Sequence, residues 1–300
     1  MYYLLILVAV VLLALQFCTN KFYQLRFGNA VTASLLFTAL NGLTTALLFF
    51  CIGGFRLTVT AYSLMMAAVI AVLCCLYTLI GFRMLALGNM SVYTMFLMLG
   101  GMLLPYLYGV FWLDEEITVC RILGVILLAL SMVFPVLGTG DDESKKKTRT
   151  LFLLLCLVVF TLNGFVSITS KMHQISDRLI VGENDFVILS NGMNGLISSV
   201  ALFFMCLARR TAPLREPLTA GSMGLIAGII GVSAACNGTS YMLQLIGAAN
   251  VPASVLYPMV TGGMMVLSAV AGMVFFREFP DKKTAVGLLL AFAATFLFLF

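Results

Sequence analysis

The sequence predicts an all-α integral membrane protein whose ten transmembrane helices form two inverted five-helix repeats. Its 300 residues are 62% hydrophobic and only 10% charged, with a mean hydropathy of +1.11, whereas soluble domains are about 25% charged. A helix needs about 20 apolar residues to cross a bilayer, so the chain has room for roughly ten crossings. This composition excludes a soluble globular enzyme, a disordered chain and a coiled-coil rod.

Ten apolar segments with short connections between them predict the individual helices. The segments are 2–19, 30–52, 60–80, 89–112, 118–138, 150–170, 184–207, 218–243, 250–276 and 283–300. The first segment has neither a basic stretch before it nor a small-residue cleavage site after it. We therefore expect a retained first crossing and not a signal peptide.

The charge run from Asp141 to Lys147 divides the ten segments into two sets of five. We expect a first repeat over 1–140, a charged connecting loop over 141–149 and a second repeat over 150–300. Because each repeat has an odd number of crossings, the second would enter the membrane from the opposite side. A pseudo-two-fold axis in the membrane plane then relates the repeats, as in many secondary transporters with a substrate site near the midplane.

Matched residues in the two halves support this internal repeat. A shift of 163 residues superimposes Gly100, Gly109, Glu115 and Gly124 on Gly263, Gly272, Glu278 and Gly287. A shift of 153 residues superimposes Asn41-Gly42-Leu43 on Asn194-Gly195-Leu196. The change of offset requires small insertions, which are expected where loops differ in length.

The fourth and ninth segments both end at a glutamate that is followed nine residues later by a glycine. The two pairs are Glu115 with Gly124 and Glu278 with Gly287. On these endings, with the Ser254–Pro258 stretch and Pro105 beside them, the sequence resembles the EamA-like ten-helix type of the drug/metabolite transporter superfamily. Where that family usually has a glycine before the glutamate, this chain has Asp114 and Arg277.

The orientation in the membrane is predicted differently by the charges and by the resemblance. Loops after the odd-numbered segments carry thirteen of the seventeen Lys and Arg residues. The positive-inside rule then puts these loops in the cytoplasm and both termini outside. The family resemblance implies that both termini are inside; we follow the charges, which belong to this chain.

Polar side chains in hydrocarbon are costly, so they should face the bundle interior or a wet cavity. Several segments carry such side chains at spacings of three, four or seven, which places them on one helix face. With tyrosines that offer a ring and a hydroxyl, they form the candidate substrate-binding set: Asn41, Tyr77, Tyr93, Asn163, Asn194, Asn237, Tyr241, Gln244 and Tyr257. The alternatives are interhelical hydrogen bonds for the amides and core or interfacial packing for the tyrosines.

Charged residues near segment ends are candidate gates or ion-pair partners: Glu115, Glu278, Lys21 and Lys171. The two lysines are expected to end the first and sixth helices. The alternatives are solvated charge at a helix end for the glutamates and snorkelling for the lysines. Because no carboxylate lies at the centre of a segment, proton coupling is the less natural driving force.

Other chemistry lacks the residues that it needs. The chain has no Walker A loop, His173 is its only histidine, and its eight cysteines form no C-x-x-C pair. We therefore expect no enzyme activity, no cofactor and no metal site. The basic residues behind the net charge of +5 lie in loops, so they indicate topology and not nucleic-acid binding.

We expect a secondary transporter in the plasma or inner cell membrane that moves a small polar or amphipathic metabolite by alternating access. Its expected partners are that small-molecule substrate and the lipid bilayer, and the chain would act as a monomer or homodimer. The alternative within the same superfamily is a lipid-linked-sugar flippase or a flippase subunit. A non-transporting structural subunit is a further alternative, which a sealed, dry interior would favour.

Overall fold

The computed structural model forms ten α-helices and, in the part of the chain that it describes, no β-strand. It describes the backbone except at residues 1, 29, 88–89, 137–145, 179, 217–218, 278, 280–281 and 299–300, and the side chains except at these positions and at 82–94, 132–149 and 284. The helices are α1 Tyr2–Phe27, α2 Val31–Ile52, α3 Ala61–Leu87, α4 Met90–Trp112, α5 Val119–Val136, α6 Lys146–Gln174, α7 Glu183–Leu207, α8 Ala220–Asn250, α9 Ala253–Phe276 and α10 Lys282–Leu297.

Eight of these helices are long and apolar enough to cross a membrane, and α5 and α10 are shorter. The described apolar stretches of the two short helices cover 119–131 and 285–297. The outward faces of the long helices expose large apolar side chains such as Leu47, Phe203 and Leu207. Contiguous apolar surface of this kind marks contact with lipid or another protein, which agrees with the membrane class that the sequence predicts.

Four helices, α1, α3, α6 and α8, extend beyond the predicted boundaries by four residues or more. The sequence predicts that the first helix ends at residue 19, but α1 continues to Phe27, and α8 continues to Asn250 where 243 is predicted. Lys21 therefore lies within α1 and does not end it. The extensions of α1 and α8 carry polar residues such as Gln24 and Gln244, which lower the mean hydropathy of the window and so end the predicted helix too early. Both residues line the cavity described below.

The helix pairs that pack together join the two halves of the chain. Helix α2 packs on α7, α1 packs on α8 and α9, and α6 packs on α3 and α4. Helix α4 also packs on α9, and α5 packs on α10. The residues of 1–140 and 150–300 therefore do not form two separate bundles, and the space between their helices is the natural place for a site.

The crossing of α2 and α7 needs glycine at its centre. A Cβ atom on Gly42 would lie 2.7 Å from the carbonyl oxygen of Asn191, and one on Gly195 would lie 2.8 Å from the backbone nitrogen of Leu43. Contacts this short do not occur, so only glycine lets the two backbones approach so closely. These are the glycines of the matched Asn-Gly-Leu tripeptides, and the crossing brings Asn41 and Asn194 to the middle of the bundle.

Candidate functional site

A cavity of about 430 Å³ lies between the helices of the two halves. Helices α1 to α4 line it with residues from the parts of these helices nearest the end of α1, such as Gln24, Ser34 and Thr78. Helices α6 to α9 line its opposite part with residues such as Ser170 and Tyr257. Each half of the sequence thus supplies one end of the same cavity.

The two ends of the cavity differ in burial. Gln24 in the last turn of α1 and Ser34 in the first turn of α2 are partly exposed, so the lining is less buried at this end. Ser170 and Tyr257 are each only 6% exposed, and Ala248 beside them is 1% exposed. We call the first the open end and the second the sealed end.

Eight of the nine candidate substrate-binding residues line this one cavity. They are Asn41, Tyr77, Asn163, Asn194, Asn237, Tyr241, Gln244 and Tyr257. The side chain of the ninth, Tyr93, lies outside the described residues. Polar residues that are far apart in the sequence are therefore brought together in one cavity.

Three further carboxamides that the sequence reading missed line the cavity from α1. Gln16, Asn20 and Gln24 are spaced by four residues, and the Gln24 Nε2 donates to the Asn20 Oδ1 at 3.3 Å. The spacing itself was the available signal, because side chains four apart share a helix face. The predicted end of the helix at residue 19 concealed this spacing, because it assigned Asn20 and Gln24 to a loop.

Several of the cavity carboxamides hold neighbouring helices together. The Asn237 Nδ2 of α8 donates to the Asn191 Oδ1 of α7 at 2.9 Å. The Asn163 Nδ2 of α6 donates to the Leu97 carbonyl oxygen of α4 at 2.7 Å. These side chains therefore do both things that the sequence suggests. Each makes a hydrogen bond to a neighbouring helix, and each also lines the cavity.

Two carboxamides at the centre retain an unused acceptor. The Oδ1 atoms of Asn41 and Asn194 are buried and have no hydrogen-bond partner. A buried acceptor without a donor is costly, and both residues line the cavity. They occupy matched positions of the two sequence halves.

Hydrogen bonds from α6 to α8 and α9 close the sealed end. The Tyr257 hydroxyl donates to the Ser167 carbonyl oxygen at 2.6 Å. The Tyr241 hydroxyl and the Ser170 Oγ are 3.0 Å apart. Both hydroxyls are thus engaged with α6, and both tyrosines line the cavity.

A buried lysine binds the C-terminal end of α8 at the sealed end. The Lys171 Nζ donates to the carbonyl oxygens of Ala248 at 2.7 Å and Val251 at 2.9 Å. The residue is only 5% exposed. A cation is favourable there because the last carbonyls of a helix carry partial negative charge.

A glutamate binds the N-terminal end of α9 on the other side of the same turn. The Glu115 carboxylate accepts from the backbone nitrogens of Ala253 at 2.7 Å and Ser254 at 2.8 Å. An anion is favourable there because the first amides of a helix have no partner within it. The turn at Val251 and Pro252 is therefore held by opposite charges on its two helix ends, and we call it the capped turn.

Two of the four predicted gate residues are thus placed at helix ends. Glu115 and Lys171 each bind backbone groups of the capped turn. The Lys21 Nζ lies 4.9 Å from the ring centroid of Phe276, at the opposite end of the molecule. Glu278 lies outside the described residues, so its role stays a prediction.

The described lining of the cavity contains carboxamides, hydroxyls, aromatic rings and apolar groups but no charged side chain. Among the described residues, no group of three His, Cys, Asp or Glu side chains is placed to hold a metal ion. The arrangement can exchange hydrogen bonds with a solute and contact its apolar faces.

Comparison with known proteins identifies the fold only. No family model matches the sequence, and no curated protein matches it. The structure is similar to a protein solved by crystallography, with a TM-score of 0.67 over 99% of this chain and 95% of that one. The two sequences are 14% identical, so the similarity carries no information on activity.

Proposed function

We propose that this protein is a secondary transporter of the cell membrane that carries a small polar solute by alternating access. The observation that carries the proposal is the cavity of about 430 Å³, which both sequence halves line with carboxamides and hydroxyls among apolar groups. Its lining is partly exposed at one end and buried at the other. A structural membrane subunit has no need of such a space. A site between two halves that closes at one end is the arrangement that alternating access requires.

We further propose that the ten helices form two inverted repeats. The repeats would pair α1 with α6, α2 with α7, α3 with α8, α4 with α9 and α5 with α10. When each helix is replaced by its counterpart, the packed pair α1–α8 becomes the packed pair α6–α3, and α1–α9 becomes α6–α4. The same replacement leaves three packed pairs unchanged, because each consists of two counterpart helices: α2–α7, α4–α9 and α5–α10. This is the packing expected of two equivalent bundles that face each other, and it supports ten crossings with α5 and α10 included.

The open end would face the cytoplasm. Successive helices joined by short turns alternate in direction, so the C-terminal ends of α1, α3, α5, α7 and α9 share the open end. Thirteen of the seventeen basic residues lie in the sequence between the last two turns of these helices and the first turn of the helices that follow, and the positive-inside rule assigns them to the cytoplasm. The capped turn is then the outer gate of an inward-open state.

Cysteine labelling from the two sides tests the proposal. In a variant with its eight native cysteines replaced by alanine, Gln24→Cys should react with an impermeant maleimide from the cytoplasm only. Ser170→Cys should react from the outside at a low rate that rises when Glu115→Gln uncaps the turn. Labelling of both positions from a single side in every variant would contradict alternating access.

The flippase alternative predicts a lateral opening that joins the cavity to the lipid. A second, more open groove near the sealed end is lined by Tyr62, Met65, Tyr108, Arg178 and neighbouring apolar residues. It shares no described lining residue with the cavity. The transporter proposal therefore has the better support, and flux of a lipid-linked sugar in proteoliposomes would reverse that preference.

A further inference from the structure

The chemistry of the cavity points to the class of solute that it takes. Nine carboxamides, supplied by α1, α2, α6, α7 and α8, line the cavity, and no described lining residue is charged. Three charged groups lie beside the sealed end, and none of them lines the cavity. Lys171 and Glu115 already bind helix ends. Arg121 donates to the Ser254 Oγ and to the Glu116 carbonyl oxygen. An ion in this cavity would lose water without gaining a counter-charge, which is unfavourable.

The two unpartnered acceptor atoms indicate which hydrogen-bonding groups the solute carries. The Asn41 and Asn194 Oδ1 atoms are buried and unpartnered, and Asn41 is only 8% exposed. An acceptor in this position is satisfied by an O–H or N–H donor. One acceptor comes from each half of the chain, so a solute that donates to both would bridge α2 and α7.

The tyrosines of the cavity lining indicate that the solute contains a ring. Tyr241 and Tyr257 use their hydroxyls in bonds to α6, and Tyr77 lines the cavity from α3. A tyrosine ring in a lining can contact a planar base or the C–H face of a sugar through its flat apolar face. The volume of about 430 Å³ lies within the usual range of small-molecule pockets, roughly 300–1,000 Å³.

We propose that this cavity, which we have proposed as the transport site, binds an uncharged, ring-containing solute with several O–H or N–H donors. This is the chemistry shared by nucleosides and glycosides. Asn41 and Asn194 accept its donors, and the tyrosine rings contact its apolar faces. The anionic and cationic relatives of the same rings bind weakly because the lining supplies no counter-charge.

Matched pairs of solutes test the proposal on the full-length protein in lipid nanodiscs. Uridine is compared with uridine monophosphate, and methyl glucoside with glucuronate, by equilibrium dialysis and by thermal stabilisation. We expect at least one uncharged solute to bind at least tenfold more tightly than its charged counterpart, and the two uncharged probes distinguish nucleoside from glycoside. Equal or tighter binding of the charged members, or no binding of either uncharged ring at millimolar concentration, overturns the proposal.

Variants at the two acceptors test the residues. Asn41→Leu and Asn194→Leu should each weaken binding of the uncharged solute at least tenfold, while Glu116→Gln, an exposed position outside the cavity, leaves it unchanged. The isosteric Asn41→Asp provides a second test if a leucine variant fails to fold, and it should weaken binding of uridine monophosphate further than that of uridine. Unchanged binding in the folded acceptor variants overturns the assignment.

The failure of this proposal and that of the transport function are distinguishable. Flux of the same solutes into proteoliposomes is measured beside binding. Saturable flux of a charged solute without binding of uncharged ones keeps the transporter and overturns the solute class. Binding of uncharged rings without flux keeps the solute class and contradicts transport.

Discussion

The sealed end and the open end of the cavity differ in how their lysines are used. At the sealed end Lys171 is 5% exposed and binds two carbonyl oxygens at the end of α8. At the other end Lys21, which a shift of 150 residues superimposes on Lys171, is partly exposed, and its Nζ lies over the ring of Phe276. Similar residues at the two ends thus differ in burial, and only the lysine of the sealed end is buried.

The charged side chains that close the cavity lie at helix ends and not in the middle of the bundle. Lys171 and Glu115 act at helix ends, where unsatisfied backbone groups carry partial charges of the opposite sign. The middle of the bundle holds carboxamides instead, such as Asn41 and Asn194. The charges can therefore hold one end of the cavity closed without changing the electrostatic character of the site between the ends.

The largest expected effect comes from removing the anion of the capped turn. Glu115→Ala removes two charge-assisted hydrogen bonds to backbone amides, each worth about 1.5–3 kcal/mol. Part of that loss is recovered by water, so we expect the free energy of unfolding to fall by about 2–4 kcal/mol. Thermal or denaturant unfolding of the purified protein measures the change.

Glu116→Gln is the matched control for this variant. Glu116 is the next residue, and its side chain is exposed. Its substitution should change the free energy of unfolding by less than about 0.5 kcal/mol. Equal losses in the two variants would show that Glu115 does not act through the α9 amides.

A direct comparison of the two lysines has the next largest effect. Lys171→Met keeps an unbranched side chain but leaves the Ala248 and Val251 carbonyl oxygens without their donor, which we expect to cost about 2–3 kcal/mol. Lys21→Met removes a cation from a partly exposed side chain over the Phe276 ring. Charge interactions at an exposed position are weakened by water, so we expect a smaller cost there than at Lys171. Unfolding measurements on both variants check the order, and a larger loss at Lys21 would reverse our assignment of the sealed end.

The helices could be predicted from the sequence because hydrophobicity alone decides where a chain enters lipid. All ten helices exist near their predicted positions. The boundary at residue 19 was wrong because Asn20 and Gln24 are polar, and a hydropathy window cannot distinguish a loop from a helix that faces a wet cavity. Four-residue spacing is the signal that would have extended α1.

The site could be predicted in composition but not in geometry. Helical spacing selected polar residues such as Asn163 and Asn237, and the fold brings them to one cavity. The capped turn could not be predicted, because nothing local relates Glu115 to Ala253 or Lys171 to Val251. These contacts depend on how α6 and the α4–α5 connection pack against a turn that is far away in the sequence.

The smallest expected effect, and the only stabilising one, concerns two equivalent positions just after α4 and α9. Asp114 and Arg277 adopt left-handed backbone conformations with φ of 50° and 53°, which costs an ordinary L-residue about 1–2 kcal/mol. Glycine avoids this cost but loses more entropy on folding, so Arg277→Gly should raise the free energy of unfolding by about 0.5–1 kcal/mol. Asp114→Gly should gain less, because aspartate tolerates this region better than arginine. Unfolding curves of the two variants measure the difference, and destabilisation by Arg277→Gly would show that the arginine side chain makes a compensating contact at the open end.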